Sequence, residues 1–147
     1  MANLSDAVAG GTPDQKAISE LLLDYSNPRF GELERDVEQS QLVDLIIDKF
    51  GIEDVVNSLA MNGFFAAEPL VCVRRKDGTL VVKEGNRRLC ACIVLSGDPR
   101  AVRQPNLSSR FQKVWNDNGK PAIEPVPVLI FEEDGPAADT MLSYLGV

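Results

Sequence analysis

Four consecutive residues, Gly85-Asn86-Arg87-Arg88, stand where a predicted strand gives way to a predicted helix. The first backbone N–H groups of a helix have no intrahelical partner and carry a partial positive charge, so such a turn is suited to bind an anion. Gly85 has no Cβ, which lets a phosphate group approach the main chain closely. Arg87 and Arg88 add planar guanidinium groups that bind phosphate through paired hydrogen bonds. These residues therefore predict a phosphate-binding turn.

The position of the two arginines supports this interpretation but leaves an alternative open. An exposed cation in the first helical turn costs about 0.3–1 kcal/mol, and a bound anion reverses the sign of that contribution. The alternative is that Arg87 and Arg88 pair with the chain's own carboxylates, such as Asp24 or Glu68. Glu84 either helps to hold a metal or to orient a nucleophile, or forms a salt bridge to one of these arginines.

Composition excludes several classes of protein. The 147 residues include no histidine, so Ser-His-Asp catalysis and zinc sites that need histidine are excluded. The three cysteines, Cys72, Cys90 and Cys92, are predicted to be buried, reduced thiols in a cytoplasmic protein. No run of 18 apolar residues is present, which excludes a membrane-spanning helix, and the first residues lack the pattern of a secretory signal.

Charge is distributed unevenly along the chain, whose net charge is −7. Residues 74–120 contain 11 of the 15 basic side chains and only four acidic ones. This segment predicts either a surface that receives anions, nucleic acid among them, or basic side chains scattered over a solvated surface. The hairpin tip Arg74-Arg75-Lys76 permits the same two interpretations.

Hydrophobic periodicity predicts an α/β (α+β) fold with a small mixed sheet. Strands are predicted over 18–24, 69–73, 80–83 and 126–131, with an Asp77-Gly78 hairpin turn between the second and third. Pro127 indicates that the last strand lies at a sheet edge or that the proline is near its beginning. Helices are predicted over 36–50, 52–61, 86–95, 108–115 and 136–145. The predicted organisation is a flexible leader over 1–17, one domain over 18–135, and a terminal helix or the start of a linker over 136–147.

Residues 20–132 resemble the ParB/sulfiredoxin superfamily, specifically its ParB-like nuclease type of domain. The resemblance is carried by the Asn27-Pro28-Arg29 turn, by Glu68-Pro69-Leu70 after a helical pair ending at Gly63, by the Gly85–Arg88 box, and by Val126-Pro127-Val128. It implies a pocket for a nucleoside triphosphate of the CTP type, with Mg²⁺ bound between phosphate oxygens and one or two carboxylates. Carried over by position, the phosphate contacts would come from Gly85, Asn86, Arg87, Arg88 and Arg29, and the pocket lining from Gly63, Glu68 and Pro69.

Two departures from the family pattern narrow this expectation. Asn86 stands where the family usually has glutamate and where sulfiredoxins place their reactive cysteine, so repair of sulfinic acids is not expected. ParB proteins also carry a downstream helix-turn-helix, and the residues after Phe131 are too few to form one. DNA would therefore be contacted by a region outside this chain or by the basic segment 74–120.

The leading hypothesis is a nucleotide switch in a DNA-associated, oligomer-forming protein, as in chromosome partition, with slow or absent hydrolysis. One alternative is an enzyme, a metal-dependent nuclease or phosphotransferase, that uses Glu84 as its catalytic base. Another is a non-catalytic interaction module whose arginines bind carboxylates of a partner. Two weaker candidates remain. Trp115 and Phe111 either stack a nucleotide base or pack against the core. Four acidic residues near strand ends either bind Mg²⁺ or belong to solvated loops: Asp24, Glu132, Glu133 and Asp134.

Overall fold

A mixed β-sheet is the centre of the fold in the computed structural model, which describes residues 10–24, 26, 37–65 and 67–145. Within this part of the chain, five strands pair in the order β1-β5-β3-β4-β2. β1 with β5 and β3 with β4 are antiparallel, whereas β3 with β5 and β2 with β4 are parallel. The strands are β1 (Thr12–Lys16), β2 (Leu21–Leu22), β3 (Leu70–Arg74), β4 (Leu80–Glu84) and β5 (Val126–Glu132).

Helices cover both faces of this sheet. The helices formed by the described residues are α1 (Gln39–Phe50), α2 (Glu53–Asn62), α3 (Asn86–Ser96), α4 (Pro105–Asp117) and α5 (Pro136–Leu145). Helices α1 to α4 pack on one face in a large core that includes Cys72 and Val82 of the sheet. Helix α5 packs on the opposite face, where Ala138 and Met141 contact Val73 and Phe131. The mixed α/β prediction is therefore confirmed, including the helical pair between β2 and β3.

Helix α3 is the central element of the larger core. Every residue from 89 to 95 is buried, because this helix is surrounded by the sheet and by its neighbouring helices. By contrast, α1 buries only a stripe, Leu42, Val43 and Ile46, which follows the spacing expected for an amphipathic helix. The N-terminus of α3 is therefore held rigidly at the end of β4, next to α2.

The N-terminal prediction is wrong in two places. The sequence pattern places residues 12–16 in a flexible leader, but they form β1, which pairs with β5 along its whole length. Its side chains are mostly exposed, so backbone hydrogen bonds hold this edge strand and no hydrophobic pattern reveals it. The strand predicted over 18–24 contains only Leu21–Leu22, because Ile18–Glu20 form a 3₁₀ turn. Residues 1–9 and the Asn27-Pro28-Arg29 turn lie outside the described residues.

The later elements agree more closely with expectation. The β3–β4 hairpin closes through hydrogen bonds from Arg75 N to Thr79 O and from Gly78 N to Arg75 O. The sequence predicts that Pro127 lies either in an edge strand or near the beginning of its strand. It is the second residue of β5, which lies between β1 and β3 and is not an edge strand. Helix α5 spans Pro136–Leu145 and packs on the sheet. None of the helices described is long and apolar enough to span a membrane.

The three cysteines are buried and unpaired by disulfides, as predicted. Burial raises the pKa of Cys72, Cys90 and Cys92 to about 12. Because the thiolate is the reactive form, we expect no reaction with a thiol reagent at pH 8 in the native protein and three reactive thiols after denaturation. Rapid native labelling at any of these positions would contradict the burial described here.

Arg100 ties the beginning of β2 to the end of α3. Its guanidinium donates to the carbonyl oxygens of Ile18 and Leu21, and its Nε lies 3.0 Å from the carboxylate of Asp98. The side chains of Arg100 and Asp98 are only 14% and 8% exposed. This largely buried pair therefore fixes the chain at Ile18 and Leu21, at the beginning of β2.

The Arg100–Asp98 pair predicts a loss of stability in acid. Burial alone would raise the pKa of Asp98, but hydrogen bonds from the side chain and backbone N–H of Arg100, together with its charge, lower the pKa below the ordinary 3.8. A carboxyl whose pKa is lower in the folded state stabilises the protein above the unfolded pKa, and this contribution is lost as the pH falls through the folded pKa. Denaturant unfolding measured from pH 6 down to below 3.8 should show a smaller decline for Asp98→Asn than for the wild type. Parallel declines would contradict the prediction.

Candidate functional site

The turn that enters α3 depends on Gly85. This residue precedes the helix with φ 101° and ψ 23°, in the left-handed region, and no side chain caps the helix at this position. A Cβ atom here would lie 2.3 Å from Cδ2 of Leu70 and 3.1 Å from Nη2 of Arg88. The side chains of Leu70 and Arg88, and not a phosphate, approach Gly85 closely in this structure. The fold itself therefore requires the glycine.

Asn86 is a buried residue whose polar atoms are satisfied internally. Its Oδ1 accepts a hydrogen bond from the backbone N–H of Asp24 (3.0 Å), and its Nδ2 donates to the carbonyl of Val82 (2.9 Å). The side chain thus joins the segment after β2 to β4 at the beginning of α3. The sequence predicted a phosphate contact here, whereas the geometry gives Asn86 the role of an internal brace.

Arg87 and Arg88 leave the same helical turn in different directions. The Nε of Arg87 donates to Gly51 O (3.0 Å), and its Nη2 lies 2.6 Å from Oδ1 of Asp54 in the first turn of α2. Arg88 donates through Nη1 to the backbone carbonyl of Glu68. The alternative that these arginines pair with the chain's own carboxylates therefore holds for Arg87, through Asp54 and not through Asp24 or Glu68. Arg88 binds a backbone carbonyl instead.

Arg88 reaches a cavity of about 340 Å³ beside α2. The cavity is lined by residues 54, 55, 58 and 59 of α2, by residues 63–65 of the following loop, by Glu68 and by Arg88. The guanidinium carbon of Arg88 lies 5.7 Å from the ring centroid of Phe64, and Phe65 is 52% exposed. A backbone hydrogen bond from Phe64 N to Ala122 O (3.1 Å) fixes the loop. The cavity therefore joins one basic group to an aromatic, largely apolar wall.

The other predicted site residues divide between the cavity and its surroundings. Gly63 and Glu68 line the cavity, whereas Pro69 and Glu84 do not. Glu84 ends β4, is half-buried, and its carboxylate forms no hydrogen bond or ion pair with the described part of the chain. Arg29 lies outside the described residues.

The acidic residues proposed for Mg²⁺ are mostly paired with basic side chains. Asp24 is fully buried, with Oδ2 3.3 Å from Nζ of Lys83 and Oδ1 accepting from the hydroxyl of Ser26 (2.7 Å). At the other end of the sheet, the last residue of β5 and the two acidic residues after it hold the hairpin tip: Arg74–Glu132, the backbone N–H of Lys76 to Glu133, and Lys76–Asp134. The part of the chain that the structure describes contains no group of three or more acidic, cysteine or histidine side chains arranged to hold a metal.

The basic segment 74–120 is largely neutralised by carboxylates. Among the described residues, at least eight of its 11 basic side chains form ion pairs: Arg74, Lys76, Lys83, Arg87, Arg100, Arg103, Arg110 and Lys113. Trp115 donates its indole N–H to Pro121 O (2.8 Å) and Phe111 is buried, so both belong to the packing of α4. Most basic side chains of this segment thus balance acidic residues of the same fold.

Sequence reasoning missed the wall that α2 contributes to the cavity. Asp54, Val55, Ser58 and Leu59 recur at helical spacing, which places them on one side of α2. That spacing was visible in the sequence, but it also fits a helix packed against the core. Only the tertiary position of the 63–65 loop and of Arg88 makes this side of the helix a cavity wall.

No family model, curated protein or solved structure matches this chain. The function proposed below therefore depends on the residues themselves and on the geometry around α3.

Proposed function

We propose that this chain binds a nucleotide through its phosphate groups, with Arg88 as the principal phosphate ligand. The observation that carries the proposal is the position of this guanidinium, in the first turn of α3 and at one wall of the 340 Å³ cavity. A helix N-terminus and an arginine both favour negative charge. The cavity volume lies at the lower end of the roughly 300–1,000 Å³ typical of small-molecule sites.

The aromatic part of the cavity suits the base of a nucleotide. Phe65 lines the cavity and is 52% exposed, and Val55 and Leu59 line it on the side of α2. Stacking of a nucleobase on an aromatic side chain contributes about 1–3 kcal/mol. A ligand with an anionic tail and a flat ring therefore matches the lining better than an inorganic anion alone.

Glu68 is the carboxylate that fits a Mg²⁺ ion brought by the phosphates. Its side chain is exposed at the cavity, and its carboxylate has no partner among the residues described. Protein-bound Mg²⁺ typically takes one or two carboxylates together with phosphate oxygens and waters. The ion is therefore proposed as part of the bound nucleotide and not as a resident metal held by the protein alone.

Binding is favoured over catalysis as the main activity. A catalytic base must come within hydrogen-bonding reach of the reacting group, and Glu84 does not line the cavity. We therefore propose a nucleotide-responsive module of the ParB-like type, with DNA contacted by a region outside this chain. The ion pairs of the basic segment support that choice, because most of its described cations already bind carboxylates of the same chain.

Thermal unfolding with each of the four ribonucleoside triphosphates and Mg²⁺ tests the proposal. A ligand at 100 times its Kd stabilises the folded state by about 2.7 kcal/mol. We expect Arg88→Met to weaken binding by about 10- to 100-fold, since charge-assisted hydrogen bonds contribute about 1.5–3 kcal/mol. Arg103→Met is the matched control, because Arg103 is a half-exposed, ion-paired arginine outside the cavity.

Two results would contradict the proposal. One is that none of the four triphosphates shifts the unfolding of the wild type at millimolar concentration. The other is that Arg88→Met and Arg103→Met bind a stabilising triphosphate equally well. In either case, an interaction module that binds carboxylates of a partner would explain the arginines better.

A further inference from the structure

The ion pair between Arg87 and Asp54 stands at the rim of the cavity. Nη2 of Arg87 lies 2.6 Å from Oδ1 of Asp54, and the two side chains are 42% and 73% exposed. Asp54 lines the cavity, whereas Arg87 does not. The guanidinium is thus held against a residue of the cavity wall without contributing to the wall itself.

We propose that Asp54 regulates the phosphate site by holding Arg87 away from it. This inference rests on the proposed function, because it concerns the same cavity. When an anion enters beside Arg88, Nη2 of Arg87 exchanges the carboxylate of Asp54 for a phosphate oxygen. The phosphate is then bound by two arginines, whereas only Arg88 is available to it while Asp54 holds Arg87.

The geometry makes this exchange a short movement. Arg87 also donates through Nε to Gly51 O (3.0 Å), which keeps the guanidinium beside the cavity after Asp54 has released it. An arginine offers five N–H donors, so the Nε bond leaves its terminal nitrogens free for a phosphate. Arg87 precedes Arg88 in the same helical turn, and both therefore start from the same end of α3.

Charge favours the exchange as well. An ion pair with this much exposure is screened by water and is weak. A triphosphate carries several negative charges and binds a guanidinium through two parallel hydrogen bonds, so it competes well with one carboxylate. Asp54 opposes entry of the anion twice, through its own charge and by occupying Arg87.

The neighbouring residue Glu53 provides a matched control. It belongs to the same turn of α2 and is 68% exposed, but it pairs with Arg110 of α4 (3.0 Å) and does not line the cavity. Glu53→Gln removes the same charge as Asp54→Asn while releasing an arginine outside the cavity. The difference between the two variants isolates the contribution of Arg87.

The experiment measures binding of inorganic tripolyphosphate and of the stabilising nucleoside triphosphate by calorimetry, in the same Mg²⁺-containing buffer as the thermal unfolding test. We expect Asp54→Asn to bind both about tenfold more tightly than the wild type, as one further charge-assisted hydrogen bond implies. Glu53→Gln should change affinity by less than about twofold, as expected for a screened charge outside the cavity. The double variant Asp54→Asn/Arg87→Met should lose the gain.

Three outcomes overturn the inference. The first is that Asp54→Asn binds the anions no more tightly than Glu53→Gln, and the second is that it binds them more weakly than the wild type. The third is that the double variant keeps the whole gain in affinity, because the gain would then come from removal of the Asp54 charge alone. If neither the wild type nor Asp54→Asn binds any of the anions, the proposed function itself fails. Binding that depends on Arg88 without a gain in Asp54→Asn removes only the regulation by Asp54.

Discussion

Replacement of Gly85 by alanine is expected to destabilise the fold by about 3 kcal/mol, the sum of left-handed backbone strain and overpacking. The new Cβ would stand 2.3 Å from Cδ2 of Leu70, a fully buried side chain of β3, at a φ of 101°. Because Leu70 is fully buried, its side chain must repack within the core to make room for the new Cβ. Chemical denaturation of the two proteins measures the difference.

Gly78→Ala is the matched control for Gly85→Ala. Gly78 has a φ of 89° in the hairpin turn, but no atom lies within 4 Å of the position its Cβ would take. Its replacement should therefore cost only the backbone strain, about 1 kcal/mol. Leu70→Ala removes a fully buried side chain and costs about 2–5 kcal/mol in the wild type, but it should cost less in the Gly85→Ala background, where it also removes the clash. Equal effects at both glycines would show that the contact with Leu70 is unimportant.

Asn86→Ala is the second change with a large expected effect, again about 3 kcal/mol of stability, because an unsatisfied buried polar group costs about 1–3 kcal/mol. The substitution leaves the N–H of Asp24 and the carbonyl of Val82 without the partners that the amide supplies. The free energy of unfolding from urea titration measures the effect. The loss should be the same with and without a nucleotide, since Asn86 acts through the fold.

Asn62→Ala controls for the chemistry of the Asn86 substitution. The Nδ2 of Asn62 also donates to the carbonyl four residues earlier, Ser58 O (3.1 Å), but it does so at an exposed position. Water replaces that bond, so we expect a change within about 0.5 kcal/mol. An Asn86→Ala variant as stable as Asn62→Ala, yet unable to bind a nucleotide, would return Asn86 to the phosphate site.

Local patterns predicted the elements whose side chains alternate clearly between buried and exposed. The stripe on α1, the Asp77-Gly78 hairpin and the glycine that precedes α3 were all visible because each depends on a few neighbouring residues. Strand β1 was not visible, because an exposed edge strand is fixed by its partner β5 and not by its own side chains. The position of β5 inside the sheet likewise follows from pairing with both β1 and β3.

The candidate site was predictable only in part, for a related reason. The sequence indicated that Gly85, Arg87 and Arg88 lie together at a helix N-terminus, which is where the structure has them. It could not assign the partners of Arg87, because Gly51 and Asp54 belong to the α1–α2 pair, which is distant in the sequence. The separation of the two arginines, one paired with α2 and one in the cavity, is a tertiary property. Asp54 was therefore missed, although it is the residue on which the proposed regulation depends.

The pairing of β1 with β5 also constrains when the sheet can form during synthesis of the chain. Thr12 is translated early, but its partner Ile130 emerges from the ribosome only after nearly all of the other described elements. Until then β3 has no neighbour on the side that β5 will occupy, and its open backbone edge is a template for pairing with other chains. The backbone edge of β3 can therefore be covered only after β5 has been synthesised.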